Sequence, residues 1–158
     1  MSRRNIVKKH YPLPDLKHNS FLISLLIAKI LKKGKTRLAH SIVLDTFLLI
    51  KEKTSQEPLK IFEKAVKNIT PFVAVKTQYV KKKKSSYQVP FEVTRYRGTT
   101  LALRWLIKAA KNRSGRTISL KLASEIIDAS KKLGNAVKKR EETHSMAEAN
   151  KAFAHAKD

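Results

Sequence analysis

The sequence predicts a mainly α-helical protein: a six-helix, bundle-like domain with one extended β-hairpin between helices three and four. Six segments repeat apolar residues every three or four positions, which is the spacing of one helix face, and caps, Gly or Pro separate them. Between the third and fourth segments, residues 72–93 instead alternate apolar and polar positions around four consecutive lysines. That period of two predicts antiparallel strands joined by a basic turn.

The first two predicted helices are bounded by cap residues and glycine. Asn19 or Ser20 caps the first helix, whose apolar face stops at Gly34. Thr36 caps the second helix, which runs to about Lys53. The short connections between the six segments favour a compact bundle.

Proline and threonine bound the next two helices. Pro58 suits the first position of the third helix, which ends at the Thr70-Pro71 break. Thr99 or Thr100 is expected to start the fourth helix after the hairpin. Thr117 then opens the fifth helix, which Gly134 ends. The sixth runs from about Ala136 past residue 146 into the region of residue 153.

The hairpin is predicted to be a long cationic arm. About seven residues per strand at roughly 3.3 Å each give a reach of about 20 Å. Pro90 fits the exposed edge of a two-stranded ribbon, because it has no backbone donor. Tyr79 and Tyr87 face each other across the ribbon on this prediction, either as a stabilising cross-strand pair or as platforms for unpaired bases.

Two parts of the chain differ in organisation. Residues 1–18 are basic, contain two prolines and lack periodicity, which predicts an extended N-terminal arm that orders on a partner. Residues 19–158 are expected to form a single helical domain with the hairpin at about 72–93.

The charge of the chain indicates its class of partner. Its 158 residues carry a net charge of +23, from 35 Lys and Arg against 12 Asp and Glu. Such an excess requires a polyanion, and basic residues spread along the whole length favour nucleic acid over a membrane surface. No apolar run reaches the roughly 18 residues of a membrane span. With no cysteine, disulfides, thiolate zinc sites and cysteine nucleophiles are excluded.

Motifs for catalysis, metal or cofactor binding are weak. Gly34-Lys35-Thr36 resembles the end of a phosphate-binding loop. That motif needs a glycine five residues before Gly34, where this chain has Lys29. Glu141 and His144 have a metal-ligand spacing that an ordinary surface helix also produces. We therefore predict no enzyme, no cofactor and no metal.

The candidate RNA contacts follow from charge and position. Trp105 lies in an apolar stripe and is assigned to the core, which leaves Arg104 and Lys108 on another face of the same helix. Lys138, Lys139 and Arg140 lie near the start of the last helix, where the helix dipole disfavours positive charge. Their position suggests a nearby anion. The predicted contacts are Arg3, Arg4, Lys8, Lys9, Lys35, Lys76, Tyr79, Lys81, Lys82, Lys83, Lys84, Arg95, Arg97, Arg104, Lys108, Lys138 and Lys139.

Ordered motifs along the chain resemble a known family. They are Tyr87-Gln88-Val89-Pro90, Leu101-Ala102-Leu103-Arg104-Trp105, Ala136-Val137-Lys138-Lys139-Arg140-Glu141 and the stretch from Met146 to His155, with Ser2-Arg3-Arg4, Gly34-Lys35 and Glu57-Pro58-Leu59 in the expected order. Together they resemble the universal uS7 family of small-subunit ribosomal proteins, in its bacterial and plastid type.

The resemblance implies a structural RNA binder. Members of the family bind the 3′ major domain of small-subunit rRNA and nucleate assembly of the head. Their hairpin lies near the exit-site tRNA and the mRNA path, and they face the platform protein uS11. The resemblance implies no homo-oligomer and no membrane. By matching position, the resemblance implies RNA contacts at Arg3, Arg4, Lys35, Lys76, Arg95, Arg97, Lys138 and Lys139.

This chain departs from the family pattern at its hairpin tip, which is longer and more basic. Thr36 replaces a common lysine, and the end after His155 differs from the usual one. The stretch from Glu141 to His144 and the abundance of lysine favour a plastid-encoded chain in the chloroplast stroma, with the bacterial cytoplasm as the alternative.

Two other classes remain to be compared with this interpretation. A DNA-compacting architectural protein would insert a ribbon into the minor groove, but such ribbons carry an apolar or proline wedge, and this tip is lysine and serine. An enzymatic RNA modifier would need a cofactor or catalytic signature, and this sequence contains neither.

Overall fold

The computed structural model of the chain describes residues 12–15, 19–80 and 85–151. Within them, six helices and one two-stranded antiparallel sheet follow the predicted order, and the hairpin lies between the third and fourth helices. The predicted mainly helical fold is thus confirmed. The elements are α1 (Phe21–Ile30), α2 (Thr36–Thr54), α3 (Pro58–Ile69), β1 (Val73–Val80), β2 (Ser85–Glu92), α4 (Arg95–Asn112), α5 (Ile118–Ser130) and α6 (Asn135–Ala149).

Helix α5 is the centre of the body. It packs against α2, α3, α4 and α6, while α1 lies against α2 and α4. Its residues Leu122, Ala123, Ile126 and Ala129 are at most 1% exposed. A helix surrounded in this way needs apolar residues on a wide face, and these four follow the spacing of three and four that predicts one.

The starts of the helices only partly follow the predicted caps. Pro58 is the first residue of α3, and the Thr117 hydroxyl accepts a hydrogen bond from the Leu120 amide at 3.4 Å, both as predicted. Ser20 occupies the cap position of α1 without a side-chain cap bond. Thr36 is the first residue of α2 rather than its cap, which is Lys35.

The prediction that α4 starts at Thr99 or Thr100 was wrong, because the helix begins at Arg95, one turn earlier. Both threonine hydroxyls instead donate to carbonyls four residues back, Thr99 to Arg95 at 3.0 Å and Thr100 to Tyr96 at 2.9 Å. Gly98 obscured the first turn in the sequence, since glycine disfavours helices. Its missing side chain has a packing reason: a Cβ there would lie 3.0 Å from the Pro71 carbonyl oxygen.

Helix α5 ends earlier than predicted, whereas α6 begins within one residue of its predicted start. Helix α5 ends at Ser130 rather than near Gly134, and Lys132 and Gly134 then adopt left-handed φ angles of 62° and 96°. Helix α6 begins at Asn135 and ends at Ala149. The predicted extension towards residue 153 falls outside the described residues.

The hairpin strands are fully paired over the described ladder. The register runs from Val73 opposite Glu92 to Val80 opposite Ser85, and it places Pro90 opposite Val75 in a sheet where both strands are edges. The turn at 81–84 lies outside the described residues. Among the described helices, none is long and apolar enough to cross a membrane.

Candidate nucleic-acid interface

The hairpin and the start of α4 present cations on one continuous arm. Lys76 is exposed on β1, and Arg95 and Arg97 are exposed in the first turn of α4, only a few residues after β2 ends. The Arg97 guanidinium lies over the Phe91 ring, 5.2 Å from its centroid. This cation–π contact orients Arg97 beside the base of the arm while leaving its N–H groups available for phosphate.

Tyr79 is not paired with Tyr87. The register places Tyr79 opposite Ser86, and Tyr87 opposite Gln78, so the two tyrosines are one position out of step. The alternative of a directly opposed, stabilising tyrosine pair is therefore wrong. Tyr79 is 61% exposed, so it is free of the packing that a structural role in the ribbon would require.

Helix α4 carries further exposed cations along one face, in line with Arg97 at the hairpin base. Arg97, Arg104, Lys108 and Lys111 are all exposed, and their positions differ by 7, 4 and 3 residues. At 3.6 residues per turn these offsets keep all four near one line along the helix, over a rise of about 21 Å. We call this set the α4 basic stripe. Trp105, one position from Arg104, instead packs against the core, as its apolar stripe predicts.

Helix α6 anchors the base of the hairpin. The Phe72 amide donates to His144 Nε2 at 3.3 Å, and their rings lie 6.3 Å apart. The Val93 amide donates to the Phe72 carbonyl at 3.0 Å and closes the base of the ribbon. His144 thus has a structural partner. Among the described residues, no group of three or more His, Cys, Asp or Glu could hold a metal ion.

A second junction fixes α6 against α3 and α5 close to the same base. The Asn68 amide group, near the end of α3, donates to the carbonyls of Ala129 at 2.9 Å and Ser130 at 3.1 Å in the last turn of α5. The Arg140 guanidinium from α6 in turn donates to the Asn68 carbonyl. All three acceptor carbonyls lie in the last turn of a helix, and that of Ala129 also accepts from the Lys132 amide at 3.1 Å. These bonds hold three helices together one turn before the hairpin begins.

The N-terminus of α6 has its own anion, which the sequence analysis missed. Glu125 of α5 is 0% exposed, and its Oε1 accepts a hydrogen bond from the Ala136 amide at 2.9 Å. Its other oxygen accepts from Arg113, which also pairs with Asp128. A carboxylate at a helix N-terminus is stabilising. The cations that open α6 therefore need no RNA phosphate to offset the dipole, and that argument for a phosphate contact falls away.

Arg113 is held in its charged state by this arrangement. Its partial burial lowers the pKa of the guanidinium, but the hydrogen bonds and charges of Asp128 and Glu125 outweigh that effect and raise the pKa above its ordinary value. The ion cluster connects the α4–α5 loop, α5 and the start of α6. One signal in the sequence could have revealed it: Glu125 falls on the apolar stripe of α5 between Leu122 and Ala129.

The remaining predicted contacts divide into exposed and undescribed residues. Lys35, Lys138 and Lys139 are exposed, and Lys139 forms a surface ion pair with Glu142 at 2.8 Å. The structure does not bring the lysines of α6 onto the α4 basic stripe, which belongs to another helix. The predicted contacts that lie outside the described residues are Arg3, Arg4, Lys8, Lys9, Lys81, Lys82, Lys83 and Lys84.

A helical body with a basic ribbon and a cationic helix face defines a class of protein that binds a polyanion through charge and shape. The family model described as ribosomal protein S7p/S5e matches residues 2–151. Proteins called small ribosomal subunit protein uS7 are similar over 155 residues, 98% of this chain and 98% of theirs. Identity is 54% in Arthrospira platensis, 55% in Microcystis aeruginosa and 54% in Synechocystis sp..

The chain belongs to the ribosomal protein S7p/S5e family. The predicted family is thereby confirmed. Membership makes the chain a structural component of the ribosome rather than an enzyme. The absence of a catalytic signature in the sequence agrees with this role.

Proposed function

We propose that the chain is a primary binder of the 3′ major domain of small-subunit rRNA and nucleates assembly of the subunit head. The observation that carries this proposal is the α4 basic stripe, which continues from the cations at the hairpin base along one exposed helix face. A rigid line of cations about 21 Å long matches the repeated phosphates of a folded RNA better than a single anion. The family and the names of its cyanobacterial relatives support the ribosomal setting.

In this proposal, affinity and specificity have different sources. The N-terminal arm of residues 1–18, the hairpin and the stripe neutralise phosphates, and this supplies most of the affinity. The helical domain, residues 19–158, fixes where those cations lie, so that folded RNA shape supplies specificity. The predicted contacts Arg3, Arg4, Lys8, Lys9, Lys35, Lys76, Arg95, Arg97, Arg104, Lys108, Lys138 and Lys139 belong to this surface, with Tyr79 available to an unpaired base.

The hairpin is assigned to the cleft of the subunit. The proposed partners of its tip lysines, Lys81 to Lys84, are the exit-site tRNA and the mRNA path, and the proposed protein neighbour is the platform protein uS11. The support for this assignment is the resemblance of the family motifs, together with the exposed side chains of Lys76 to Tyr79 towards the end of β1, which are free for partners.

The chain is further proposed to work in plastid ribosomes, with the bacterial cytoplasm as the alternative. Its abundance of lysine and its similarity to cyanobacterial relatives support this origin. Mass spectrometry of small subunits from isolated plastids of the source organism is expected to detect the protein. Its presence only in a bacterial cytoplasm would establish the alternative.

Filter binding tests the central proposal. Transcripts of the 3′ major domain and of another small-subunit rRNA domain are compared with duplex DNA of similar length, each between 50 and 200 mM salt. We expect preference for the 3′ major domain and a steep loss of affinity with salt, about a thousandfold or more for six to ten phosphate contacts. Preference for the DNA, or affinity nearly independent of salt, would contradict the proposal.

A matched pair of variants tests the stripe itself. Arg104→Gln with Lys108→Gln removes two charges from the stripe, and Lys53→Gln with Lys64→Gln removes two exposed charges from α2 and α3. The stripe variant should reduce the slope of log affinity against log salt by about 2, because each lost phosphate contact reduces it by about 1. Equal effects of the two variants would mean that net charge, and not the stripe, governs binding.

A further inference from the structure

A small basic cleft lies at the end of the α4 basic stripe that is remote from the hairpin. It is lined by the end of α1, the α1–α2 connection, the start of α2, the end of α4 and the start of α5. Its volume is ≈ 440 Å³. Lys29, Lys32, Lys35 and Lys111 surround it, and we call it the lysine cleft. Lys111 is also the last member of the stripe, so the two surfaces are continuous.

The lysine cleft differs in charge from two other grooves of the molecule. The groove along α2 includes Asp45 and Glu57 in its lining, and the groove at the hairpin base includes Glu63. The lining of the lysine cleft contains no acidic residue. None of its four lysines forms an ion pair within the part of the chain that the structure describes. A concave surface with one sign of charge and apolar walls concentrates positive potential.

The rest of the cleft is aliphatic. Its non-basic lining residues are Ile30, Leu38, Ala39, Ile42, Ile107, Ala110, Ile118 and Leu122. Leu38 is 57% exposed, although it is a large apolar side chain. A phosphate alone would gain nothing from this apolar floor, whereas a flat apolar group carried by an anion would bury it.

We propose that the lysine cleft accepts one unstacked nucleotide of the bound rRNA, with its base on the aliphatic floor beside Leu38 and its flanking phosphates on the lysines. A base inside a duplex cannot enter a concave site, whereas an unpaired base can turn out of the stack and pack on apolar side chains. The volume lies within the ordinary range of small-ligand sites. This inference rests on the proposed function, because it specifies part of the same RNA surface.

The cleft is formed before RNA arrives. Lys29 and Lys111 lie in the last turns of α1 and α4, where the helix dipole stabilises cations. Lys33 and Gly34 have left-handed φ angles of 51° and 73°, and this turn brings Lys32 and Lys35 to the same rim. The free protein therefore maintains four neighbouring cations without an acidic partner, and an incoming nucleotide needs no rearrangement of the helices.

Two exposed leucines of α2 provide a matched test. Leu38 lies in the lysine cleft and is 57% exposed, and Leu48 lies in the groove along α2 and is 60% exposed. Chemical probing of unpaired bases in the 3′ major domain transcript, with and without protein, should find a protected base. Leu38→Asn should remove that protection and weaken binding about fivefold, equivalent to about 1 kcal/mol, and Leu48→Asn should do neither.

An abasic residue at the protected position completes the test. It should weaken binding by the wild-type protein about fivefold and add little to the loss caused by Leu38→Asn, because both changes remove the same contact. Tight, salt-dependent binding with no protection sensitive to Leu38 would overturn the cleft proposal and leave the proposed function standing. Failure to bind the transcript would overturn both. If Leu38→Asn instead impairs only the joining of another ribosomal protein, the occupant is a protein segment and the nucleotide proposal is wrong.

Discussion

The helical body and the hairpin differ in what stabilises them. In the body, α5 is enclosed by four other helices, and the large side chains that are fully buried belong to helices. In the described positions of the two strands, only Ala74 is buried. The body is therefore stabilised by its own apolar burial, whereas the hairpin contributes little to the core and depends on contacts at its base. The difference indicates that the arm exists for a partner.

The largest effect is expected where the body depends on a buried charge. Glu125→Ala should lower the free energy of unfolding by about 3–5 kcal/mol, because it strips Arg113 of a buried partner and leaves the Ala136 amide unsatisfied. Urea unfolding measures this change. Glu142→Ala, which removes the exposed ion pair with Lys139, should cost at most about 1 kcal/mol. Equal costs would mean that the buried cluster does not support the body.

A smaller loss is expected from crowding the same carboxylate. Gly134→Ala places a Cβ 2.9 Å from Glu125 Oε1 at a left-handed φ of 96°, and it should cost about 2 kcal/mol of unfolding free energy. Gly34→Ala is the control, because φ is 73° there but no atom lies within 4 Å of the added Cβ. The control isolates backbone strain, so thermal unfolding should show a smaller loss for it. A larger loss in the control would contradict the packing argument.

The hairpin base should respond locally rather than globally. His144→Ala removes the acceptor of the Phe72 amide and should cost about 1 kcal/mol. Hydrogen exchange should accelerate at Phe72 and along β1 and β2, while amides of α5 keep their protection. Ser145→Ala changes an exposed neighbour and should leave the hairpin unchanged. Faster exchange throughout α5 would show that the arm and the body unfold together.

The tip should have the smallest effect on stability. Replacing Lys81 to Lys84 with Gln should change the free energy of unfolding by less than about 0.5 kcal/mol, as for other surface substitutions. It should weaken tRNA binding to reconstituted small subunits more than it weakens binding to the 3′ major domain transcript. Filter binding measures both affinities. Equal losses would assign the tip to the primary RNA site.

The sequence predicted the elements better than the contacts between them. Hydrophobic periodicity and punctuation were sufficient for six helices and a hairpin, because each signal is local. The early start of α4 was missed because Gly98 looks like a helix breaker until the nearby Pro71 carbonyl is known. The bond between Phe72 and His144 joins residues 72 positions apart, and no local pattern encodes such a pair.

The candidate site was predicted in the same uneven way. Lys76, Arg95, Arg97, Arg104 and Lys108 were predicted as contacts from their charge and their positions along the chain, and all five are exposed. The α4 basic stripe, which contains Arg97, Arg104 and Lys108 together with Lys111, was not recognised as a whole. The four lysines of the cleft come from α1, the loop after it and α4, so only tertiary packing brings them together. The position of Glu125 on an apolar stripe does indicate burial, but its partners Arg113 and the Ala136 amide are brought to it only by the fold.

The anchor of the hairpin also sets an order of events during synthesis. Phe72 leaves the ribosome that makes the chain 72 residues before His144, and Asn68 leaves it 72 residues before Arg140. Because protein synthesis adds about 5–20 residues per second, the hairpin base is made several seconds before its partners in α6. During that interval its strands can pair with each other, but their angle to the body is not yet fixed. In a nascent chain, the orientation of the hairpin is therefore fixed only after α6 has docked.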